Sequence, residues 1–145
     1  MLEQDTLDVL GGVRTLGRHV HSQLDLAELI MLGLPRKAAL AVRARLKLSE
    51  KELAFSLGVS PRTLQRQAKA EIERLNPAQG DRLYRLARIV AFAEEVFEDR
   101  ERAHRWLREP QRGLGNRVPL DLLQSEVGAR EVEDLLGRIE FGVFS

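Results

Sequence analysis

The chain has 145 residues, a length that suits one domain with small appendages. Its hydrophobic fraction of 43% and charged fraction of 31% are typical of a folded protein. It contains no cysteine, which excludes disulfide bonds and thiolate metal sites and fits a reducing compartment. No apolar run approaches the roughly 18 residues of a membrane span, and the first residues lack the basic-then-apolar order of a signal peptide. We therefore expect a cytoplasmic chain with no membrane segment.

The formal net charge of +1 is unevenly distributed. Residues 36 to 74 contain ten Lys and Arg against four Asp and Glu, a net charge of +6, whereas residues 94 to 145 contain eight against twelve, a net charge of −4. The basic stretch favours contacts with phosphate groups, and the acidic stretch favours a different partner or none.

Residues 1 to 21 combine acidic and apolar residues with a Gly11-Gly12 break and little sustained periodicity. We expect an irregular N-terminal arm. His19 and His21 lie two residues apart, but no third metal ligand accompanies them, so a surface pair or a partner contact is favoured over a metal site.

Two helices are predicted next. Apolar residues recur at helical spacing after a Ser22 cap, and Gly33 ends that helix. Pro35 opens a second helix, one side of which carries Arg36, Lys37, Arg43, Arg45 and Lys47. A solvated face would account for this basic stripe, but its place directly before the next motif favours contacts with a DNA backbone.

Residues 48 to 69, LSEKELAFSLGVSPRTLQRQAK, predict a helix-turn-helix. Ser49 and Glu52 have the spacing of a capping box, and Gly58 suits the left-handed end of the first helix. Ser60 then caps a second helix that begins at Pro61. Burial of the apolar positions leaves a polar face suited to a major groove, formed by Arg62, Thr63, Gln65, Arg66 and Lys69.

The longest amphipathic helix is predicted over residues 81 to 97, after a joint at Asn76-Pro77 and Gly80. Its polar side carries Arg82, Arg85 and Arg88 near the N-terminal end, the opposite of what the helix dipole favours, so these side chains are candidates for contacts, although solvent is the favoured neighbour. A further helix follows Asp99, in which the single tryptophan, Trp106, is interpreted as a core anchor rather than a ligand-binding residue.

The acidic C-terminal part begins with a turn-rich segment, residues 110 to 119. Two short helices are predicted after it: one begins at Pro119 and ends at Gly128, and the other covers Ala129 to Ile139. Phe141 and Phe144 then lie near the end, and either fold back on the domain or insert into a partner's cleft. No alternating run predicts a strand, so the expected fold class is all-α, with about seven helices.

No arrangement of residues predicts catalysis. The chain offers no nucleophile with an adjacent base, and Gly113-Leu114-Gly115 lacks the third glycine and the Lys-Ser/Thr of a phosphate-binding loop. We expect no enzymatic activity, no cofactor and no metal.

The order of these motifs resembles the Xre/MbcA/ParS antitoxins, which are paired with RES-domain toxins. The resemblance covers residues from about 22 to 145 and rests on DLAELIMLGLP, LSEKELAFSLGVSPRTLQR, the Trp106-Leu107 helix and LGNRVPLDLLQSEVGAREVEDLLGRIEFG. The segment around PLDLL and the terminal GRIEFG are more specific than the helix-turn-helix. Asn116 stands where the family pattern has glycine, a mild departure because asparagine tolerates the left-handed conformation.

The resemblance implies an Xre-like helix-turn-helix domain over residues 22 to 98 that binds DNA and dimerises, and a toxin-binding C-terminal domain over residues 99 to 145. The implied function is a type II antitoxin that occludes the active site of a RES-domain, NAD-degrading toxin and represses its own operator. Carried over to this sequence, the DNA-binding residues are Ser60, Arg62, Thr63, Gln65, Arg66 and Lys69. The implied toxin-binding residues are Leu114, Gly115, Asn116, Pro119, Leu120, Leu122, Leu123, Glu140, Phe141, Gly142 and Phe144. The partners are the toxin, operator DNA and a second copy of the chain.

Two other interpretations remain open at this point. One is a stand-alone helix-turn-helix repressor whose C-terminal helices only dimerise. The other is a scaffold whose helix-turn-helix has lost its DNA role, which the low net charge leaves possible.

Overall fold

The computed structural model describes residues 4 to 142, and that range is helical without a strand. The α-helices are α1 Gln4–Val9, α2 Gly12–Leu16, α3 Gln23–Leu32, α4 Arg36–Leu46, α5 Glu50–Leu57, α6 Pro61–Lys69, α7 Pro77–Phe97, α8 Arg100–Arg108 and α9 Glu126–Glu140. Two 3-10 helices, η1 Arg112–Leu114 and η2 Pro119–Leu122, lie between α8 and α9. The expected all-α fold class is confirmed. No helix in the described range is both long and apolar enough to cross a bilayer.

The chain divides into two compact units at Ala87 and Arg88, inside α7. This differs from the predicted boundary after residue 98. The sequence pattern shows where a helix ends, near Asp99, but α7 is a single helix whose two halves contribute to different cores. A helix end is therefore not the unit boundary here.

The N-terminal segment is folded, and the prediction of an irregular arm was wrong for residues 4 to 16. It forms α1 and α2, and it buries apolar side chains, with Leu10 0% exposed and Val9 1% exposed. Gly11 and Gly12 both have positive φ angles, which allow the sharp change of direction between the two helices. Each helix is too short to show a 3.6-residue periodicity, so burial rather than sequence pattern identifies it.

The core of the first unit is formed by leucine, alanine and valine side chains from α3, the connection between α3 and α4, α4, α5 and the first half of α7. It includes Leu26, Leu29, Leu34, Ala38, Val42, Leu53, Leu57, Leu83 and Leu86. At the start of α7, Asn76 and Gln79 cap each other: the Asn76 side chain accepts from Gln79 N at 2.8 Å, and the Gln79 side chain accepts from Asn76 N at 3.1 Å. This reciprocal cap starts α7 at Pro77 and leaves Gly80 inside the helix rather than at the predicted joint.

The core of the second unit is closed by α9 and α8, with Ala103, Leu107, Val132, Leu135 and Leu136 buried. The Trp106 ring is half-buried and packs against Phe97 with a centroid distance of 5.6 Å, consistent with a packing role. An ion pair joins α7 to α9 within this unit, because Arg88 Nε and Nη2 donate to Glu133 at 3.1 and 3.0 Å.

The two-helix prediction for the C-terminal part was partly wrong. Pro119–Leu122 is a 3-10 helix, and α9 begins at Glu126 with Ser125 as its cap, so Gly128 lies in the first turn of α9 instead of ending a helix. Ser125 Oγ accepts from Gly128 N at 3.0 Å. A Cβ at position 128 would overlap the backbone carbonyl of Leu122, so this glycine is required for close approach rather than for helix termination.

Candidate interaction surfaces

Helices α5 and α6 form the predicted helix-turn-helix. The Ser49 side chain accepts from Glu52 N at 3.0 Å, and Glu52 Oε1 accepts from Ser49 N at 2.8 Å, so the predicted capping box is confirmed. Gly58 has φ of 75° at the end of α5, and Ser60 Oγ accepts from Thr63 N at 3.1 Å at the start of α6. Local hydrogen bonds therefore fix both helix ends at the turn.

The outer face of α6 presents the predicted polar side chains. Arg62, Gln65, Arg66 and Lys69 are exposed, as is the cap residue Ser60, whereas Thr63 is half-buried. The hydroxyl of Thr63 accepts from Ser60 Oγ at 3.0 Å, so this pair is already engaged within the turn. The three cations provide the freely presented positive charge of this face.

Gln65 has a partner that the sequence did not indicate. Its Nε2 donates to Glu50 Oε1 at 2.6 Å, which connects α6 to the first residue of α5. The side-chain amide has two N–H donors and an acceptor oxygen, so one N–H and the oxygen remain for another contact. Glu50 thus orients the amide of Gln65 instead of blocking it.

A groove of about 330 Å³ lies between α4 and α6, with α5 beneath it. Its floor is apolar, formed by Leu53, Leu57 and Leu64, and Arg36 and Arg43 lie along its α4 side. Arg43 Nε donates to the carbonyl oxygen of Leu48 at 3.1 Å, so part of the basic face of α4 supports the entry to α5.

The predicted toxin-binding residues of the second unit differ in accessibility. Leu114, Pro119 and Leu123 are buried, Leu120 and Leu122 are half-buried, and Gly115, Asn116, Glu140, Phe141 and Gly142 are exposed. Phe144 lies outside the described residues. The buried members support the loop between α8 and α9, and the exposed members are the ones that a partner can reach directly.

That loop is closed by backbone hydrogen bonds. Gln111 N donates to Arg117 O at 3.0 Å, and Asn116 N donates to Gln111 O at 2.9 Å. Gly115 and Asn116 are both left-handed, with φ of 64° and 63°, which is the conformation expected for Asn116 from the sequence. The exposed tip of the loop is therefore a defined turn.

Two large apolar side chains of α9 and its end face solvent. Phe141 is 82% exposed and Val127 is 73% exposed, although the core beneath α9 is complete without them. Val127 was not among the predicted contact residues. A signal was present in the sequence, because Val127 lies off the apolar stripe formed by Val132, Leu135 and Leu136.

The described residues contain no group of three or more side chains suited to holding a metal ion. The rings of His19 and His21 stack with a centroid distance of 5.7 Å, and both side chains are exposed. Their arrangement is that of a surface pair.

Two family models match the chain. Residues 25–88 match the antitoxin Xre-like helix-turn-helix domain, and residues 92–142 match the C-terminal toxin-binding domain of the Xre/MbcA/ParS antitoxins. The two matched segments meet within α7, close to the boundary between the compact units.

Similar curated proteins carry the name Antitoxin Xre. The protein from Yersinia enterocolitica is 39% identical over 95 residues, which cover 65% of this chain and 64% of the relative. The protein from Pseudomonas putida is 38% identical over 80 residues, which cover 53% of this chain and 50% of the relative. The matched region thus spans about half to two-thirds of these relatives.

Among solved structures, the chain is similar to one from the crystal structure of the Mycobacterium tuberculosis MbcT–MbcA toxin–antitoxin complex. The TM-score is 0.53 at 26% identity, and the match covers 87% of this chain and 100% of that one. With the capped helix-turn-helix in the first unit and the loop-and-α9 arrangement in the second, these matches show that the chain belongs to the Xre/MbcA/ParS antitoxin family.

Proposed function

We propose that this chain is the antitoxin of a type II toxin–antitoxin pair. Its second unit binds a RES-domain, NAD-degrading toxin and occludes the active site, and its helix-turn-helix binds operator DNA as an autorepressor. The observation that carries the proposal is the match of residues 92–142 to a toxin-binding domain, a stretch that ends beside the exposed Phe141.

The toxin contact is proposed for the exposed and half-buried members of the predicted set. Gly115 and Asn116 form the loop tip, and Phe141 lies beyond the end of α9. Full burial of a largely exposed aromatic ring against a partner contributes roughly 2–3 kcal/mol of favourable binding free energy. Inserted into a cleft, such a ring excludes substrate without any chemistry by the antitoxin itself.

The DNA contact is proposed for the exposed face of α6. Arg62, Arg66 and Lys69 supply positive charge, and Gln65, oriented by Glu50, retains the N–H and oxygen needed to pair with an adenine edge. A homodimer would present two such helices to half-sites about one helical turn apart, which predicts a palindromic operator.

Co-expression with the protein encoded by the neighbouring reading frame tests the toxin half. Parent chain and RES-domain protein should copurify, and Phe141→Ser should weaken both copurification and rescue of cells that express the toxin. Leu24→Ser is the matched control, because Leu24 is an apolar side chain on α3 that is 77% exposed. The absence of a stable complex with the parent chain would instead favour a stand-alone repressor.

Binding to a duplex from the chain's own promoter tests the DNA half. Arg66→Ala should lose roughly 1–3 kcal/mol of binding free energy if the arginine pairs with a base edge, and less if it contacts only phosphate. Arg105→Ala removes an exposed arginine from α8 and should leave binding unchanged. Equal affinity of the parent chain for promoter and scrambled duplexes would refute sequence-specific repression.

A further inference from the structure

Gly137 is a glycine in the interior of α9 that the packing of residues 4 to 142 does not require. It has no left-handed φ angle, and a Cβ built on it would meet no heavy atom within 4 Å. Glycine is among the least favourable residues in a helix interior. Gly128 in the same helix, by contrast, is required by the close approach of the Leu122 carbonyl. Gly137 therefore weakens α9 and leaves a gap in its side-chain cover, which we call the Gly137 notch.

The Gly137 notch lies on the solvent-facing side of α9, among exposed side chains. Asp134 precedes Gly137 by three residues and Phe141 follows it by four, so the three positions share one helix face. The backbone N–H of Phe141 donates to the carbonyl oxygen of Gly137 at 3.2 Å, which keeps Phe141 in the helical register. Val127, two turns before Asp134, is on the same side. The notch thus lies between two large apolar side chains that are 73% and 82% exposed, Val127 and Phe141.

A glycine on an exposed helix face allows another molecule to approach the helix backbone more closely than any side chain would permit. Exposed apolar side chains beside it mark a surface that a partner covers. Both features occur together on α9, and the core beneath this helix is complete without Val127 or Phe141. The arrangement fits a partner segment that lies along α9 and makes its closest contact at Gly137.

The charge of α9 indicates which partner fits this face. The helix Glu126–Glu140 carries five carboxylates against two arginines, a net charge of −3. In a two-fold symmetric pair of chains the same face meets itself, so two such helices would be brought together. Like charges opposed at an interface are unfavourable. A different protein with a basic and apolar surface fits better than a second copy, and in the proposed function that protein is the toxin.

We propose that the Gly137 notch is a docking position for the toxin: a segment of the toxin seats against the α9 backbone between Asp134 and Phe141. This inference rests on the proposed toxin binding, and it extends the contact from the loop tip and Phe141 to the face of α9 itself. A methyl group at position 137 fits the isolated chain but would fill the notch. The requirement for glycine therefore belongs to the complex and not to the fold of the chain.

The test measures two quantities for each variant of the full chain: its affinity for the RES-domain protein and the denaturation midpoint of the isolated chain. Gly137→Ala should bind roughly tenfold more weakly, because the added methyl group overpacks a close contact. Its midpoint should be at least parental, since alanine favours a helix over glycine. Gly137→Gln should abolish the detectable complex. Weaker binding by a chain that is no less stable cannot result from unfolding.

Gly80→Ala is the matched control. It adds the same methyl group to the interior of α7, at an ordinary contact distance of 3.6 Å from Leu34, and its affinity for the toxin should stay parental. Parental affinity of both Gly137 variants overturns the inference, and the proposed function stands if Phe141→Ser still weakens the complex. A lower oligomeric state of isolated Gly137→Gln would assign the notch to a second copy and would also overturn it. If the parent chain does not bind the RES-domain protein, the proposed toxin binding fails together with this inference.

Discussion

Two glycines of α9 provide a matched test of how the second unit is packed. Alanine in a helix interior is favoured over glycine by roughly 1 kcal/mol. A Cβ at Gly137 meets no heavy atom within 4 Å, so Gly137→Ala should gain nearly all of that amount. A Cβ at Gly128 would overlap the carbonyl of Leu122, a backbone atom that moves only if η2 moves. Such overpacking lowers the free energy of unfolding by about 1–3 kcal/mol, which exceeds the gain from the higher helix propensity of alanine in the first turn.

We therefore expect Gly128→Ala to lose about 1–2 kcal/mol of stability and Gly137→Ala to gain up to about 1 kcal/mol, corresponding to midpoint shifts of roughly 3 °C per kcal/mol. Denaturation followed by the fluorescence of Trp106 suits this pair, because the single tryptophan lies in the same unit as α9. Gly128→Ala should also weaken toxin binding, since it displaces η2. A Gly128→Ala protein as stable as Gly137→Ala would refute the close approach of α9 to η2.

Three further substitutions test other parts of the fold. Leu10→Ala should lower the free energy of unfolding by about 2–4 kcal/mol, as measured by urea denaturation. Val13→Ala, at a position 44% exposed, should be nearly neutral. Equal midpoints for the two variants would indicate that the N-terminal segment is irregular after all. Ser49→Ala removes the capping box and should cost about 1 kcal/mol by the same measurement, so an unchanged midpoint would count against the cap. Glu133→Gln weakens the part-exposed ion pair with Arg88 and should lower the free energy of unfolding by no more than about 1 kcal/mol. The loss should be smaller in 1 M NaCl, because salt screens the pair. A loss that does not change with salt would contradict an electrostatic origin.

The helix-turn-helix was predictable because its determinants are local. Ser49, Glu52, Gly58 and Ser60 act within a few residues of themselves, through hydrogen bonds and φ angles that the residue types favour. The spacing of a helix also determines which side chains of α6 face outward once Leu64 is buried.

Other features were not predictable because they depend on tertiary packing. The burial of Leu10 follows from contacts that no short window reveals, and the role of Gly128 depends on Leu122 approaching from outside the helix. The hydrogen bond from Gln65 to Glu50 joins residues fifteen apart, beyond the reach of helical periodicity. In each case the residue itself is evident from the sequence, but the residue that packs against it or bonds to it is not.

The toxin-binding set shows the same division. Leucines in a glycine-rich loop were expected to be contacts, but Leu114 and Leu123 are buried and hold the loop on its own unit. Gly115 and Asn116 lie in the predicted turn-rich segment, and both adopt the left-handed conformation that glycine and asparagine tolerate.

The exposed ring of Phe141 allows an experiment that distinguishes an antitoxin from a stand-alone repressor. Its ring does not fold back on the domain: it is 82% exposed beside a core already closed by Val132, Leu135 and Leu136. A repressor that dimerises through its C-terminal helices would bury this ring against a second copy, so Phe141→Ser would lower its oligomeric state. An antitoxin would bury the ring against the toxin, so the same substitution would leave the oligomeric state of the isolated chain intact and weaken only the complex. Sedimentation of Phe141→Ser with and without the RES-domain protein therefore distinguishes the two, because each function assigns the same exposed ring to a different partner.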